Sequence, residues 1–184
     1  MRILKIMFVS LIFILAVIIS GCSSENKLLR EKFISGGYKM IVCPVHLLDR
    51  KSSIYDGSLS KKIADYMNER KYADASQTEL CPPPNINWQG EQAVMVDNSI
   101  ELFKKFIIMN RVPAKTFVFY AEFLRGGKDA RVVGVHYYLL DSKGDIAMRG
   151  ILNSHSKEFM EVKPVTNEDC LRVLMDSFES KMME

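Results

Sequence analysis

Hydrophobic and polar positions run through this 184-residue chain in three different rhythms. The first is an almost unbroken apolar run over residues 6–19. The second is a short continuous run from Met40 to Val45, inside a segment, 38–47, that reads as a strand buried on both faces. Pro44 cannot donate to a ladder, so it marks the end of that strand or a bulge in it. The third is helical. Over residues 58–71, Leu59, Ile63, Tyr66 and Met67 share one face, and Asp56 or Ser58 stands where an N-cap is needed. Residues 49–57 read as a loop, and a short polar strand is expected within 72–80.

Residues 81–92 contain three consecutive prolines and then Asn85, Asn87 and Gly90, the composition of a long irregular connection. A second helix is expected over 98–110, capped by Asp97, with Ile100, Phe103 and Ile107 as its apolar stripe. Alternation returns at Thr116, where Phe117, Phe119, Ala121 and Phe123 fall on one face of a β-branched and aromatic strand. Turn residues at 125–129 and 141–145 separate it from strands over 131–141 and 146–152, an antiparallel meander. Thr166, with acidic residues behind it, opens a last helix whose buried stripe is Leu171, Leu174, Met175 and Phe178. The expected fold is therefore α+β: a single mixed or antiparallel sheet with helices packed on it and a late β-meander.

The opening run changes the picture. Arg2 and Lys5 precede it, and Ile19-Ser20-Gly21-Cys22 follows it, the layout of a secretory signal peptide. The run is short for a membrane span, which needs about 20 apolar residues. Its last four residues resemble the lipobox of bacterial lipoproteins. That resemblance implies cleavage between Gly21 and Cys22 and a diacylglycerol on the Cys22 thiol. Each buried acyl CH2 contributes about 0.8 kcal/mol, so a multiply acylated terminus holds firmly to a membrane. The expected organisation is a signal peptide over 1–21, a lipidated cysteine and tether over 22–37, and one domain over 38–184. Ser23 after the cysteine resembles the outer-membrane sorting class, which in an organism with two membranes implies an anchor facing the periplasm.

Charge excludes one class. The 25 Lys and Arg stand against 22 Asp and Glu, and Arg2 and Lys5 leave with the signal. The mature domain is nearly neutral, with no electrostatic case for nucleic acid. Cys43, Cys81 and Cys170 remain once Cys22 is assigned to lipid. An envelope compartment permits one disulfide plus a free thiol, or none, and spacing does not choose the pair. Cys43, inside an apolar strand, suits a buried hydrophobe, and Cys81, before the prolines, is the most exposed thiol expected. The absence of any CxxC argues against zinc, and no cofactor motif is present.

Met40–Pro44 and Val135–Ile146, ending in a "Leu-Leu-Asp-x-x-Gly-Asp-Ile" turn, resemble the TolB amino-terminal-like group. That group includes the curli-secretion and penicillin-binding-protein activator lipoproteins. The resemblance covers under a third of the mature chain. It implies a domain that binds or assembles with other proteins and catalyses nothing.

The residues themselves leave two classes open. One is a membrane-anchored, non-catalytic module with a protein partner. Its candidate binding residues are Trp88, a stacking or anchoring indole, and the flanking amides Asn85, Asn87 and Gln89. The other is an envelope hydrolase or cell-wall-polymer enzyme with a site assembled from distant residues such as His46, His136 and Trp88. No local nucleophile–base motif supports it, because Cys43 and His46 point to opposite faces of a strand. His136 is expected half-buried on its strand, and His155 solvated in a loop. Convergence of titratable groups in one pocket separates the classes.

Overall fold

The β-branched and aromatic stretch beginning at Thr116 forms the longest strand, β5 (Thr116–Gly126), of the computed structural model. The structure describes residues 26–49, 52–83, 92–126 and 131–184, with the backbone alone for 92–97. β5 is the spine of a mixed sheet. Along one edge it pairs in parallel with β1 (Lys39–Val42) and then with β2 (Val45–Leu48). These are one strand broken at Cys43-Pro44, where the proline removes a donor. β3 (Ser53–Asp56) runs antiparallel to β2, and β4 (Asp74–Gln77) parallel to β1. On the other edge β5 pairs with β6 (Arg131–Leu140), and β6 with β7 (Ile146–Asn153), both antiparallel. The α+β class, the sheet with helices on it and the late meander are as the sequence pattern predicts.

Period-two alternation in β5 divides the core into two layers. Phe117, Phe119, Ala121 and Phe123 point to one face, against α2 (Gly57–Glu69) and α5 (Asn167–Met183) through Leu59, Ile63, Leu171, Leu174 and Phe178. Val118 and Tyr120 point to the other, with Tyr138 and Leu140, against Ile100, Phe103 and Ile107 of α3 (Gln92–Met109). Caps set the helix starts. Asp56 accepts from the Ser58 and Leu59 amides, and Thr166 and Asp169 form a reciprocal capping box.

Three local expectations are corrected, and one helix is added. The loop expected over 49–57 contains β3, which pairs antiparallel with the edge of β2 that faces away from β5. α3 begins at Gln92, so Asp97 lies within it and does not cap it. α4 (Lys157–Val162) escapes periodicity because it is under two turns long. Residues 27–34, within the stretch read as tether, form α1 (Lys27–Ile34), capped by Asn26. Leu29 and Phe33 of α1 are buried in the first layer, where Phe33 meets Phe117 edge-on at 5.1 Å.

Cys43 and Cys81 form a disulfide, and Cys170 is a free, buried thiol. Cys43 is thus buried, but as half of a crosslink. Among the described residues, no helix is long and apolar enough to cross a membrane.

Candidate functional site

Two places in the domain gather chemistry, and they do not coincide. The first is a row of titratable side chains in adjacent strands. The register sets His46 of β2 beside Glu122 of β5, and Glu122 beside His136 of β6. All three are buried, Glu122 to 3 % exposure and His136 to 1 %. His136 Nδ1 lies 3.6 Å from Glu122 Oε2. The His46 ring stacks on Tyr120, with centroids 5.7 Å apart, and its Nδ1 is 3.0 Å from Ser53 Oγ. Burial lowers the His46 pKa, with the Glu122 charge working against that shift, so His46 is neutral at pH 7. Tyr120 donates to the Pro82 carbonyl, and burial together with Glu122 pushes its pKa far up.

His136 is therefore more deeply buried than its strand position suggested. Glu122 and Asp141, which a hairpin reading could set face to face, are far apart in register. Glu122 pairs with His136, while Asp141 accepts from the Lys143 and Asp145 amides of the next turn. Cys43 is no nucleophile, being in the disulfide. Burial pushes the Cys170 thiol up to about 12, against the charge of Arg125, so it is not a thiolate at neutral pH. His155 is exposed, its amide donating to Asn153.

The second place is a groove of about 790 Å³ where the strands end. One wall is Arg125 at the end of β5 and Arg131 and Val132 at the start of β6; the other comes from α4 and the residues after it. Local chemistry builds that second wall. Ser156 Oγ accepts from the Asn153 amide and turns the chain out of β7. α4 follows and roots itself through Phe159, 8 % exposed. Lys163, in the left-handed region at φ 50°, ends α4 by donating its amide to the Phe159 carbonyl. Pro164 prevents continuation, and the Thr166 capping box then starts α5. Met160 and Val165 are left at 52 % and 72 % exposure along the groove. Among the described residues, Arg125, Arg131 and Lys163 bring basic side chains to the lining. Arg125 is steadied by a hydrogen bond to Asn167, at the start of α5.

A smaller, polar cleft of about 350 Å³ lies at the opposite end of the sheet, between Asn26, Lys32, Lys115, Lys143 and the Asp141–Asp145 turn. The Asn26 amide donates to the Ile146 carbonyl there, so the amino-terminal segment reaches the domain at this end. β7 runs from Ile146 to Asn153 between the two ends, about 24 Å at ~3.4 Å per residue.

Of the residues singled out in the sequence, Gly21, Cys22, Asn85, Asn87, Trp88 and Gln89 lie outside the described residues. His46 and His136 are brought together, through Glu122. The groove was not foreseen. Its parts are single residues at element ends or within the short α4, and the local hint is an apolar Phe159-Met160 pair followed by Lys163-Pro164.

No family model matches the chain, and no curated protein is similar to it. Among solved structures, it is similar to the LpoB C-terminal domain from Salmonella enterica, with 10% identity and a TM-score of 0.36. That similarity covers 68% of this chain and 92% of that one. A likeness of that size assigns neither an activity nor a partner.

Proposed function

We propose that this chain is a lipid-anchored envelope lipoprotein whose α+β domain is a non-catalytic module that docks with another protein. The observation that carries the reading is the placement of the groove. The amino-terminal segment joins the sheet at Ile146, and the exposed apolar groove sits some 24 Å away, at the far end of β7. A domain tethered through Cys22 would present that groove away from the membrane. Ile19-Ser20-Gly21-Cys22 supports the anchor, and Ser23 supports the outer membrane as its place in a two-membrane organism. The Cys43–Cys81 bond suits the same location, because disulfides persist in oxidising compartments.

The hydrolase alternative needs His46 and His136 to reach a substrate. Both are buried against Glu122, and neither lines the groove or the smaller cleft. Their arrangement is a buried polar row inside a sheet, closed off from both the groove and the cleft, in which His46 Nε2 and Glu122 Oε1 make no hydrogen bond among the described residues.

Mass spectrometry of the protein from its native envelope, together with in-situ crosslinking, tests the reading. The expected result is a diacylated Cys22 at the mature terminus, lost in Cys22→Ala, and a specific crosslinked partner. Asn85, Asn87, Trp88 and Gln89 are proposed to add to the contact, so Trp88→Ala should weaken capture and leave the fold intact. An unmodified Cys22 terminus sinks the anchor; a chain that crosslinks to nothing sinks the module.

A further inference from the structure

We propose that the end of the sheet where the amino-terminal segment joins it is a basic face that rests on the anionic phospholipid headgroups of the membrane to which Cys22 would anchor the chain. The proposal rests on the lipid anchor proposed above and names what the domain touches beside it.

The length of chain ahead of the domain sets the occupant. Asn26 is fixed at the start of β7, its amide donating to the Ile146 carbonyl. Four residue steps separate it from Cys22, a reach of at most about 14 Å. A lipid on Cys22 would therefore hold this end of the domain close to the headgroups.

Charge fits that neighbour. The register sets Lys39 of β1 beside Asp74 of β4 and Thr116 of β5, so these strand starts share one end. Lys71 and Arg111 stand in the turns that lead into β4 and β5, and Lys115 directly before β5. Lys32 and Lys143 join Lys115 around the polar cleft. All of these side chains are exposed, and among the described residues none is in an ion pair. Against them stand Glu69, Asp74, Asp141 and Asp145, and Asp141 is turned onto the Lys143 and Asp145 amides. Glu31 and Glu184 are matched by Lys27 and Arg30. A nearly neutral domain thus carries an excess of cations at the end nearest its anchor.

Helix dipoles account for part of this excess, since Lys32, Lys71 and Arg111 lie at the carboxyl ends of helices. Lys39, Lys115 and Lys143 have no helix behind them. Lys115 even holds a φ of 62°, which a glycine would adopt more freely. Each Lys or Arg beside an anionic leaflet strengthens binding about fivefold, an effect that fades beyond a screening length of ~8 Å.

The test uses the full lipidated chain in nanodiscs, either of mixed phosphatidylglycerol and phosphatidylcholine or of phosphatidylcholine alone. Labelling by an amine-acetylating reagent is followed lysine by lysine with mass spectrometry. Lys32, Lys115 and Lys143 are expected to label about threefold or more slowly on the anionic nanodiscs. Lys157 and Lys163, at the other end of the domain, should be unchanged. The protection should fade between roughly 0.1 and 1 M salt, as the screening length falls from about 10 to about 3 Å. Lys115→Glu with Lys143→Glu, checked for folding by circular dichroism, should abolish the protection of Lys32. Equal labelling on the two nanodiscs, equal protection of Lys157 and Lys163, or Lys32 protection that survives the double variant would each overturn the proposal. Any of these outcomes with Cys22 acylated in the same spectra leaves the anchor and the docking module standing. An unacylated Cys22 overturns the anchor and this face together.

Discussion

Removing the crosslink between Cys43 and Cys81 should destabilise the domain more than most single core substitutions. The bond joins the break between β1 and β2 to the chain leaving β4, across a sequence separation of 38. It therefore closes a loop that contains β2, β3, α2 and β4. Opening a loop of that length returns about 13 cal/mol/K to the unfolded chain in the chain-entropy treatment, or ~4 kcal/mol at 25 °C. Set against the roughly 5–15 kcal/mol of a typical domain, that is a large fraction. The measurement is guanidinium unfolding followed by tryptophan fluorescence and far-ultraviolet circular dichroism, with and without a strong reductant. At a slope of about 4 kcal/mol/M, the midpoint should fall by roughly 1 M. Two arms separate causes. Reductant on the natural chain breaks the bond and leaves both sulfurs in place. Cys43→Ala with Cys81→Ala also removes volume beside Phe103 and Tyr120, with which Cys43 shares the second core layer. The double variant should be somewhat less stable than the reduced chain and insensitive to reductant. Equal midpoints for oxidised and reduced natural chain would refute the crosslink as a stabilising element. A reductant effect on the double variant would show that something other than this bond is being reduced.

Phe119→Ala should lose about 3–5 kcal/mol, because Phe119 is fully buried, stacked on Tyr137 and edge-on to Phe178; calorimetry reads it as a lower Tm. Gly150→Ala should cost ~1–3 kcal/mol or more, since a Cβ there would overlap the Tyr137 ring, which Phe119, Phe178 and the Ser177 hydroxyl hold in place. In a double-mutant cycle with Tyr137→Leu the Gly150→Ala penalty should shrink, and strict additivity would contradict the steric account. Burial lowers the His46 pKa, so between the unfolded value near 6.5 and the lower folded one the unfolded chain binds the extra proton. The His46 contribution is thus intact above about pH 6.5 and lost as pH falls below it, at no more than ~1.4 kcal/mol per pH unit. His46→Asn should flatten unfolding stability measured from pH 7 to 5, and an unchanged slope would remove His46 as its source.

The elements legible in the sequence are those whose signals are local. Phe117, Phe119, Ala121 and Phe123 alternate because a strand has period two, and that settles which face of β5 meets Leu59, Ile63, Leu174 and Phe178 before any partner is known. Thr166 and Asp169 announce the start of α5 because a capping box is completed within four residues. The signal-like run and Gly21-Cys22 are read by composition alone, and their chemistry involves no fold. What tertiary structure decided depends on contacts between residues far apart in the chain. The choice of Cys81 for Cys43 follows from β4 lying beside β1, and no spacing rule encodes it. Glu122 looks like a surface hairpin carboxylate until the parallel pairing of β2 and the antiparallel pairing of β6 set a histidine on each side of it. β3 escapes the pattern because its hydrogen bonds, not its own alternation, make it a strand. α1 is a polar-looking segment with only Leu29 and Phe33 committed to the core, and its place becomes evident only once Phe117 stands opposite. The groove is the extreme case. Arg125, Arg131 and Lys163 stand at element ends and Met160 lies in a helix under two turns long, so periodicity is silent about them, and they become a site only because the strand ends and α4 meet at one end of the sheet.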